Sequence, residues 1–242
     1  MTQGKSVIIL VHGAMGCNQS WKYQVEGLSH KIEIVALNLP GHFESESPKN
    51  PTISTYIEFL NDFIEQLKVD NLILGGHSMG GAVVLLYYFK HPEKVRGLIL
   101  IGTGARLRVL PIILELSQKN IPQLVEMTKN AAFHKNTIKK KSELIREVTQ
   151  NMSKTPSNIA FNDWNICNEF DVMESLKNIK VPTLIICGDM DKLTPVKYSK
   201  YLHEHIPDSS LLIIKGAGHM VMLEQPEAIN NAIDTFIDNL LI

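Results

Sequence analysis

The chain has 242 residues, of which 44% are hydrophobic and 20% are charged, and its formal net charge is −1. This length favours one large domain, or one domain with an insertion, and the apolar content is sufficient for a sizeable core. The balanced charge argues against nucleic-acid binding, which requires a clustered basic surface.

The cysteines and the apolar runs bear on where in the cell the protein acts. Three cysteines are sparse and odd in number, which argues against a disulfide framework, and their spacing matches no zinc site. The N-terminal residues lack the apolar region of a signal peptide, and no apolar stretch reaches the roughly 18 residues of a membrane span. We therefore expect a cytoplasmic protein with no membrane span, no metal and no nucleic-acid partner.

Six short apolar runs predict β-strands, because they are rich in β-branched residues and each leads into a glycine or a turn. In chain order they are residues 6–13, 32–42, 71–78, 96–104, 182–189 and 210–219. Helical patterns at 52–68, 82–91 and 226–241 lie between or after them. This alternation predicts an α/β fold with a mainly parallel sheet, whose strands are covered on both faces.

The alternation stops after the fourth strand. Residues 108–178 contain four helical patterns and no convincing strand, and the strand pattern resumes at Pro182. We therefore predict a core made of residues 1–107 and 179–242, with residues 108–178 as a helical insertion.

The third strand leads into a glycine-rich motif. Residues 76–80 read Gly-His-Ser-Met-Gly, directly before the helical run at 82–91. Gly-x-Ser-x-Gly in a strand–turn–helix setting is typical of a tight turn that exposes a nucleophilic serine, and the glycines avoid Cβ clashes there. A phosphate loop would need a following lysine, and residues 12–16 and 102–107 do not complete a dinucleotide-binding fingerprint.

A serine nucleophile needs a base and a group that orients the base. Asp189 and Asp191 follow the fifth predicted strand, and His219 follows the sixth. Side chains beyond the carboxyl ends of parallel strands converge on one crevice, so these residues are expected to meet Ser78. The residues alone leave Asp189 and Asp191 as alternatives for the acid.

Together these features resemble the α/β-hydrolase superfamily, with its chain order of Ser, Asp and His. Four further stretches match its motifs: VHGAMG (11–16), LNLPGH (37–42), GDMDKLTP (188–195) and GAGHMVMLEQPE (216–227). The resemblance implies an α/β-hydrolase fold in which the insertion is the helical cap, or lid. Few residues precede the first strand, so we expect about six strands, all parallel.

The resemblance also implies roles for individual residues. Ser78 is then the nucleophile and His219 the general base, and Asp191 is the acid because it lies four residues before Pro195. Asp189 is expected to bond backbone amides instead.

The same resemblance implies an oxyanion hole made of two backbone N–H groups. These are expected from Met79 and Ala14, with Met15 as the alternative to Ala14. Side chains of a substrate pocket are proposed more loosely, since core or cap packing is an equal alternative for them: Met15, Met127, Phe161, Trp164 and Met220.

The leading functional hypothesis is a serine hydrolase of carboxylic esters, acting through an acyl-enzyme and requiring no cofactor. The apolar insertion favours a small-molecule ester with a small or apolar acyl group. A lyase, a carbon–carbon bond hydrolase or a thioesterase on the same scaffold is the alternative. Gly81 stands where lyase relatives often carry Arg, which argues against the lyase, and a ligand-binding protein without turnover is a third hypothesis.

Overall fold

The structure of the protein is a computed structural model, which describes residues 6–46, 48–49 and 51–240. Its centre is a six-stranded sheet with the order β2-β1-β3-β4-β5-β6, and every neighbouring pair is parallel. This confirms the predicted α/β-hydrolase architecture of about six parallel strands. The strands are β1 (Ser6–Val11), β2 (Glu33–Leu37), β3 (Asn71–His77), β4 (Val95–Ile101), β5 (Thr183–Gly188) and β6 (Ser209–Ile214).

Alternation along the strands divides the core into two layers. In β1, residues 7, 9 and 11 pack on one face with α2 (Ile53–Leu67), α3 (Met79–Lys90) and α9 (Val196–His205). Residues 8 and 10 pack on the other face with α1 (Lys22–Leu28), α10 (Val221–Glu224) and α11 (Pro226–Leu240). Successive side chains of a strand point to opposite faces, so a continuously apolar strand requires helices on both.

Five α-helices lie between β4 and β5, where the sequence predicts the insertion. They are α4 (Pro111–Lys119), α5 (Ile121–Ala132), α6 (Lys135–Lys140), α7 (Ser142–Ser153) and α8 (Ser157–Glu169). The short α6 is missed by the sequence pattern, because KNTIKK carries a single apolar side chain. Below we call α4–α8 the inserted helices.

The inserted helices have an apolar cluster of their own, which joins the core at one loop. Leu116, Leu124, Met152 and Ala160 pack together with Met15, which belongs to the loop after β1. The inserted helices therefore lie over the carboxyl end of β1. No helix within the described ranges is long and apolar enough to cross a membrane.

Candidate active site

Ser78 occupies the sharp turn between β3 and α3. Its φ of 53° and ψ of −117° are strained for a residue with a side chain. Hydrogen bonds hold the turn: the N–H of Ser78 donates to the carbonyl of Ile101 at 3.0 Å, and the Thr103 hydroxyl donates to the carbonyl of Ser78 at 2.8 Å. This strain is stored where the sequence predicts the nucleophile.

Two glycines make the turn sterically feasible. A Cβ on Gly76 would lie 2.3 Å from the carbonyl oxygen of Gly80, and a Cβ on Gly80 would lie 2.3 Å from the carbonyl oxygen of Val11. Both contacts are with backbone atoms, which cannot swing away as side chains do. The glycines are therefore required by the close approach of α3 to β1 and β3.

Asp191 lies in the loop after β5 and is buried. Its Oδ1 accepts from the N–H groups of Leu193 and Thr194, both at 2.8 Å, and its Oδ2 accepts from the Thr194 hydroxyl at 2.8 Å. Burial opposes the charged form, but the neighbouring His219 and the hydrogen bonds outweigh it, and they hold the pKa of Asp191 below its ordinary value of 3.8.

His219 lies in the loop after β6 and contacts Asp191 directly. The distance between its Nδ1 and Asp191 Oδ2 is 2.8 Å, and the ring is buried. The N–H of His219 donates to the carbonyl of Ala132 at 2.7 Å, and Glu224 accepts the N–H of Gly218 at 2.7 Å. The loop is therefore held both by the end of α5 and by the Glu224 carboxylate on α10.

The structure brings Ser78 and His219 to the same cavity. Within the described ranges, the Ser78 hydroxyl makes no hydrogen bond with the His219 ring. The serine–histidine hydrogen bond often tightens only when a substrate binds.

The carboxylate of Asp189, the alternative acid, bonds the backbone rather than a histidine. Its Oδ1 accepts from the N–H of Gly216 at 2.7 Å. This is the backbone role expected for it, whereas Asp191 contacts the histidine.

Two further histidines, His12 and His77, bond the backbone of the loops around the site. His77 Nε2 lies 3.1 Å from the carbonyl oxygen of His219, and burial together with the nearby His219 ring lowers the pKa of His77 well below its ordinary value. His12 Nδ1 lies 2.8 Å from the carbonyl oxygen of Gly13, and its Nε2 accepts from the N–H of Leu39. Burial and the nearby His42 lower the pKa of His12 to about 3, so this ring is neutral near pH 7.

The sequence analysis missed Asp163, on α8. Its carboxylate is fully buried and bonds Met15, His42 and Tyr56. One signal in the sequence could have found it, because Asp163 is a charged residue on a helical stripe that is otherwise apolar, three residues after Ala160 and three before Ile166.

Two cavities meet at Ser78. The first extends over the loop after β1 and His219, between α5 and α7, and the second extends beneath residues 107–113. Thr128, Trp164 and Leu193 line both of them. The arrangement offers separate space for the two halves of a substrate joined at the serine.

The suggested pocket residues are distributed unevenly. Met15 and Met220 line the first cavity, Met127 lines the second, and Trp164 lines both. Phe161 also lies on α8, but it is absent from the walls of both cavities as the described residues define them.

The His, Cys, Asp and Glu side chains are the candidates for metal ligands. Within the part of the chain that the structure describes, no group of three or more of them could hold a metal ion. Ala14 lines the first cavity together with Ser78, and Met79, which follows Ser78 in the chain, is the first residue of α3.

Comparisons with known proteins agree with this fold. A family model described as "Serine aminopeptidase, S33" matches residues 2–226. The chain is 28% identical to an uncharacterized hydrolase, YugF, of Bacillus subtilis, and the match covers 97% of this chain and 90% of the relative.

Two solved esterases are similar over nearly the whole chain. One, described as a thermophilic esterase, is 32% identical with a TM-score of 0.84, and the match covers 99% of this chain and 91% of the other. The other is a thermophilic esterase from Thermogutta terrifontis, 25% identical with a TM-score of 0.90, covering 100% of this chain and 92% of the other.

Proposed function

The chain belongs to the family described as serine aminopeptidase, S33, a hydrolase family with the α/β-hydrolase fold, and we propose that it is a serine hydrolase of carboxylic esters with small or apolar acyl groups. The observation that carries the proposal is the buried Asp191–His219 pair, which faces the cavity that also holds Ser78 on its strained turn. A catalytic set of serine, histidine and aspartate is recognised by the geometry and roles of its side chains rather than by the fold.

The proposed chemistry follows from the hydrogen bonds. Asp191 accepts the Nδ1–H of His219, so the Nε2 of His219 is free to take the proton of the Ser78 hydroxyl. Ser78 attacks the ester carbonyl, the alcohol leaves with that proton, and water then hydrolyses the acyl-enzyme by the same route. Asp191 stabilises the imidazolium, and the backbone N–H groups of Leu193 and Thr194 donate to its carboxylate and keep it in place.

We assign the oxyanion hole to the N–H groups of Ala14 and Met79. The Met15 N–H donates to Asp163 at 2.7 Å, which makes Met15 unsuitable as the second donor. Met79 is the first residue of α3, where an N–H has no partner within the helix and the helix dipole favours negative charge. One such donor contributes about 3–4 kcal/mol to transition-state stabilisation in comparable sites.

The apolar side chains that line the first cavity support a substrate with an apolar acyl group. The first cavity is lined beside His219 by Ala132, Phe133, Leu144, Val148 and Leu223. We propose that the inserted helices act as a cap, and that the acyl and alcohol parts of the ester occupy the two cavities that meet at Ser78.

The test is a panel of p-nitrophenyl esters and acyl thioesters of increasing chain length, with an aminoacyl p-nitroanilide as the peptidase substrate. Ser78→Ala should abolish ester turnover and labelling by a fluorophosphonate probe. The control is Ser153→Ala, which removes an exposed hydroxyl on α7 and should change neither. Wild-type turnover by the Ser78→Ala variant would refute the proposal.

A carbon–carbon bond hydrolase or a lyase is the second candidate, and one observation favours it. Arg108 and Lys192 line the second cavity next to Ser78, so a carboxylate-bearing substrate would meet positive charge there. Turnover of a ring-opened aromatic dienoate, with no acyl-enzyme detected from short esters, would place this candidate first.

A further inference from the structure

Asp163 joins one of the inserted helices to three separate parts of the core. Its Oδ2 accepts from the N–H of Met15 at 2.7 Å and lies 2.8 Å from Nε2 of His42, and its Oδ1 accepts from the Tyr56 hydroxyl at 2.8 Å. The side chains of Asp163, His42 and Tyr56 are all fully buried. Met15 follows β1, His42 follows β2 and Tyr56 lies on α2, so one carboxylate ties together segments that are more than a hundred residues away from it.

Each partner of the Asp163 carboxylate is a group that can donate a hydrogen bond. The Met15 amide and the Tyr56 hydroxyl both act as donors, and His42 contributes the hydrogen on Nε2. A buried charge is retained only when it is paired and hydrogen bonded, since its transfer from water is otherwise unfavourable. Burial opposes a charged His42, but the Asp163 carboxylate outweighs it, and the pKa of His42 is raised above its ordinary value.

The contact at Met15 lies on a strained part of the backbone. Met15 has a φ of 54°, which a residue with a side chain rarely adopts. Trp164, the neighbour of Asp163 on α8, donates its Nε1–H to the Met15 sulfur at 3.3 Å. Two successive residues of the inserted helix therefore hold both the backbone and the side chain of Met15.

The Met15 N–H that Asp163 binds belongs to the peptide bond between Ala14 and Met15. The loop is closed by a bond from the N–H of Gly16 to the carbonyl of Gly13 at 3.0 Å, and Ala14 and Met15 form the two central positions of this turn. The Met15 amide shares its peptide plane with the carbonyl of Ala14, so the bond to Asp163 restrains the ψ angle of Ala14 and the geometry of the turn. The Ala14 N–H belongs to the same turn, so its direction depends on whether the turn keeps this geometry.

We propose that Asp163 is a positioning residue, which holds the loop after β1 so that the N–H of Ala14 points to the oxyanion. The inference rests on the proposed function, because it assigns the Ala14 N–H to that role. It makes the position of α8 a condition for turnover, although no hydrogen bond among the described residues joins Asp163 to Ser78 or His219. A solely structural role would give a different result, namely lower stability with unchanged kcat of the folded enzyme.

The matched variants are Asp163→Ala, Asp163→Asn and Tyr56→Phe. The alanine variant removes all three bonds, the asparagine variant keeps one acceptor oxygen, and Tyr56→Phe removes a bond to the same carboxylate without touching the loop after β1. Two measurements are made at a temperature where every variant is folded. They are kcat and KM with a p-nitrophenyl ester, and amide hydrogen exchange of peptides covering residues 12–18.

The proposal expects Asp163→Ala to lower kcat by about 10- to 100-fold with KM changed less than about threefold, since misplacing a reacting group by about an ångström has effects of this size. Exchange in residues 12–18 should become at least about tenfold faster, because the Met15 amide loses its acceptor. Asp163→Asn should recover part of kcat. Tyr56→Phe should stay within about threefold of wild type in both measurements, even where its Tm falls.

Unchanged exchange in residues 12–18, or a loss of kcat no larger than that of Tyr56→Phe, would overturn the proposal. If the alanine variant does not fold, Asp163→Asn decides it, and wild-type values in both measurements then count against positioning. Failure of the proposed function looks different: Ser78→Ala would keep wild-type turnover while Asp163→Ala still speeds exchange. That combination would refute the serine hydrolase and support only the anchoring of the loop.

Discussion

Replacing Asp191 by asparagine is expected to trap His219 in the wrong tautomer. Oδ1 of Asp191 accepts two backbone N–H groups, so the amide oxygen of the asparagine would take that side. Its NH₂ would then occupy the place of Oδ2 and donate to Nδ1 of His219, which lies 2.8 Å from that position. The proton of the ring would move to Nε2, which could no longer accept a proton from Ser78.

The expected loss is about 10⁴-fold in kcat, equivalent to about 5 kcal/mol, as for the same change in comparable triads. The measurement is kcat for a p-nitrophenyl ester, with circular dichroism to confirm folding. Asp189→Asn is the matched control, because this neighbouring carboxylate bonds the N–H of Gly216, and it should retain kcat within about threefold. The reasoning is refuted if Asp191→Asn keeps more than about a tenth of kcat, or if Asp189→Asn causes the larger loss.

Two further predictions concern stability. Gly80→Ala should lower the free energy of unfolding by about 1–3 kcal/mol or more, because the new Cβ would lie 2.3 Å from the carbonyl oxygen of Val11; an unchanged urea midpoint would contradict this. Asp191 has a folded-state pKa below its ordinary 3.8, so its contribution is present above pH 3.8 and is lost as the pH falls through the folded-state pKa. The difference in free energy of unfolding between wild type and Asp191→Asn should therefore shrink in acid. A difference that stays constant down to the pH at which Asp191 is fully protonated would contradict this.

Much of the fold could be predicted because its signals are local. A continuously apolar strand next to an amphipathic helix identifies a βαβ unit from neighbouring residues alone. The six strands were placed within a few residues of their observed bounds, apart from the ends that run into loops. The short α6 was missed for the same reason, because six mostly polar residues carry no helical stripe.

The contacts around Asp163 could not be predicted in the same way. Its partners are 107, 121 and 148 residues away, and nothing in the local pattern indicates which of them a buried carboxylate will meet. The choice between Ala14 and Met15 was open for this reason, since it depends on whether the Met15 amide already has a partner.

The sequence by itself determined the alternation of strands and helices, the glycines that allow a turn at Ser78, and the order of the acidic and histidine loops. These depend on residue type and short spacing, which backbone sterics and burial convert directly into structure. The family resemblance indicated Asp191, but only the tertiary structure showed its contact with His219 and the two cavities that meet at Ser78. Hydrogen bonds and cavity walls are made by side chains from distant segments, and their geometry exists only once the sheet and the inserted helices have packed.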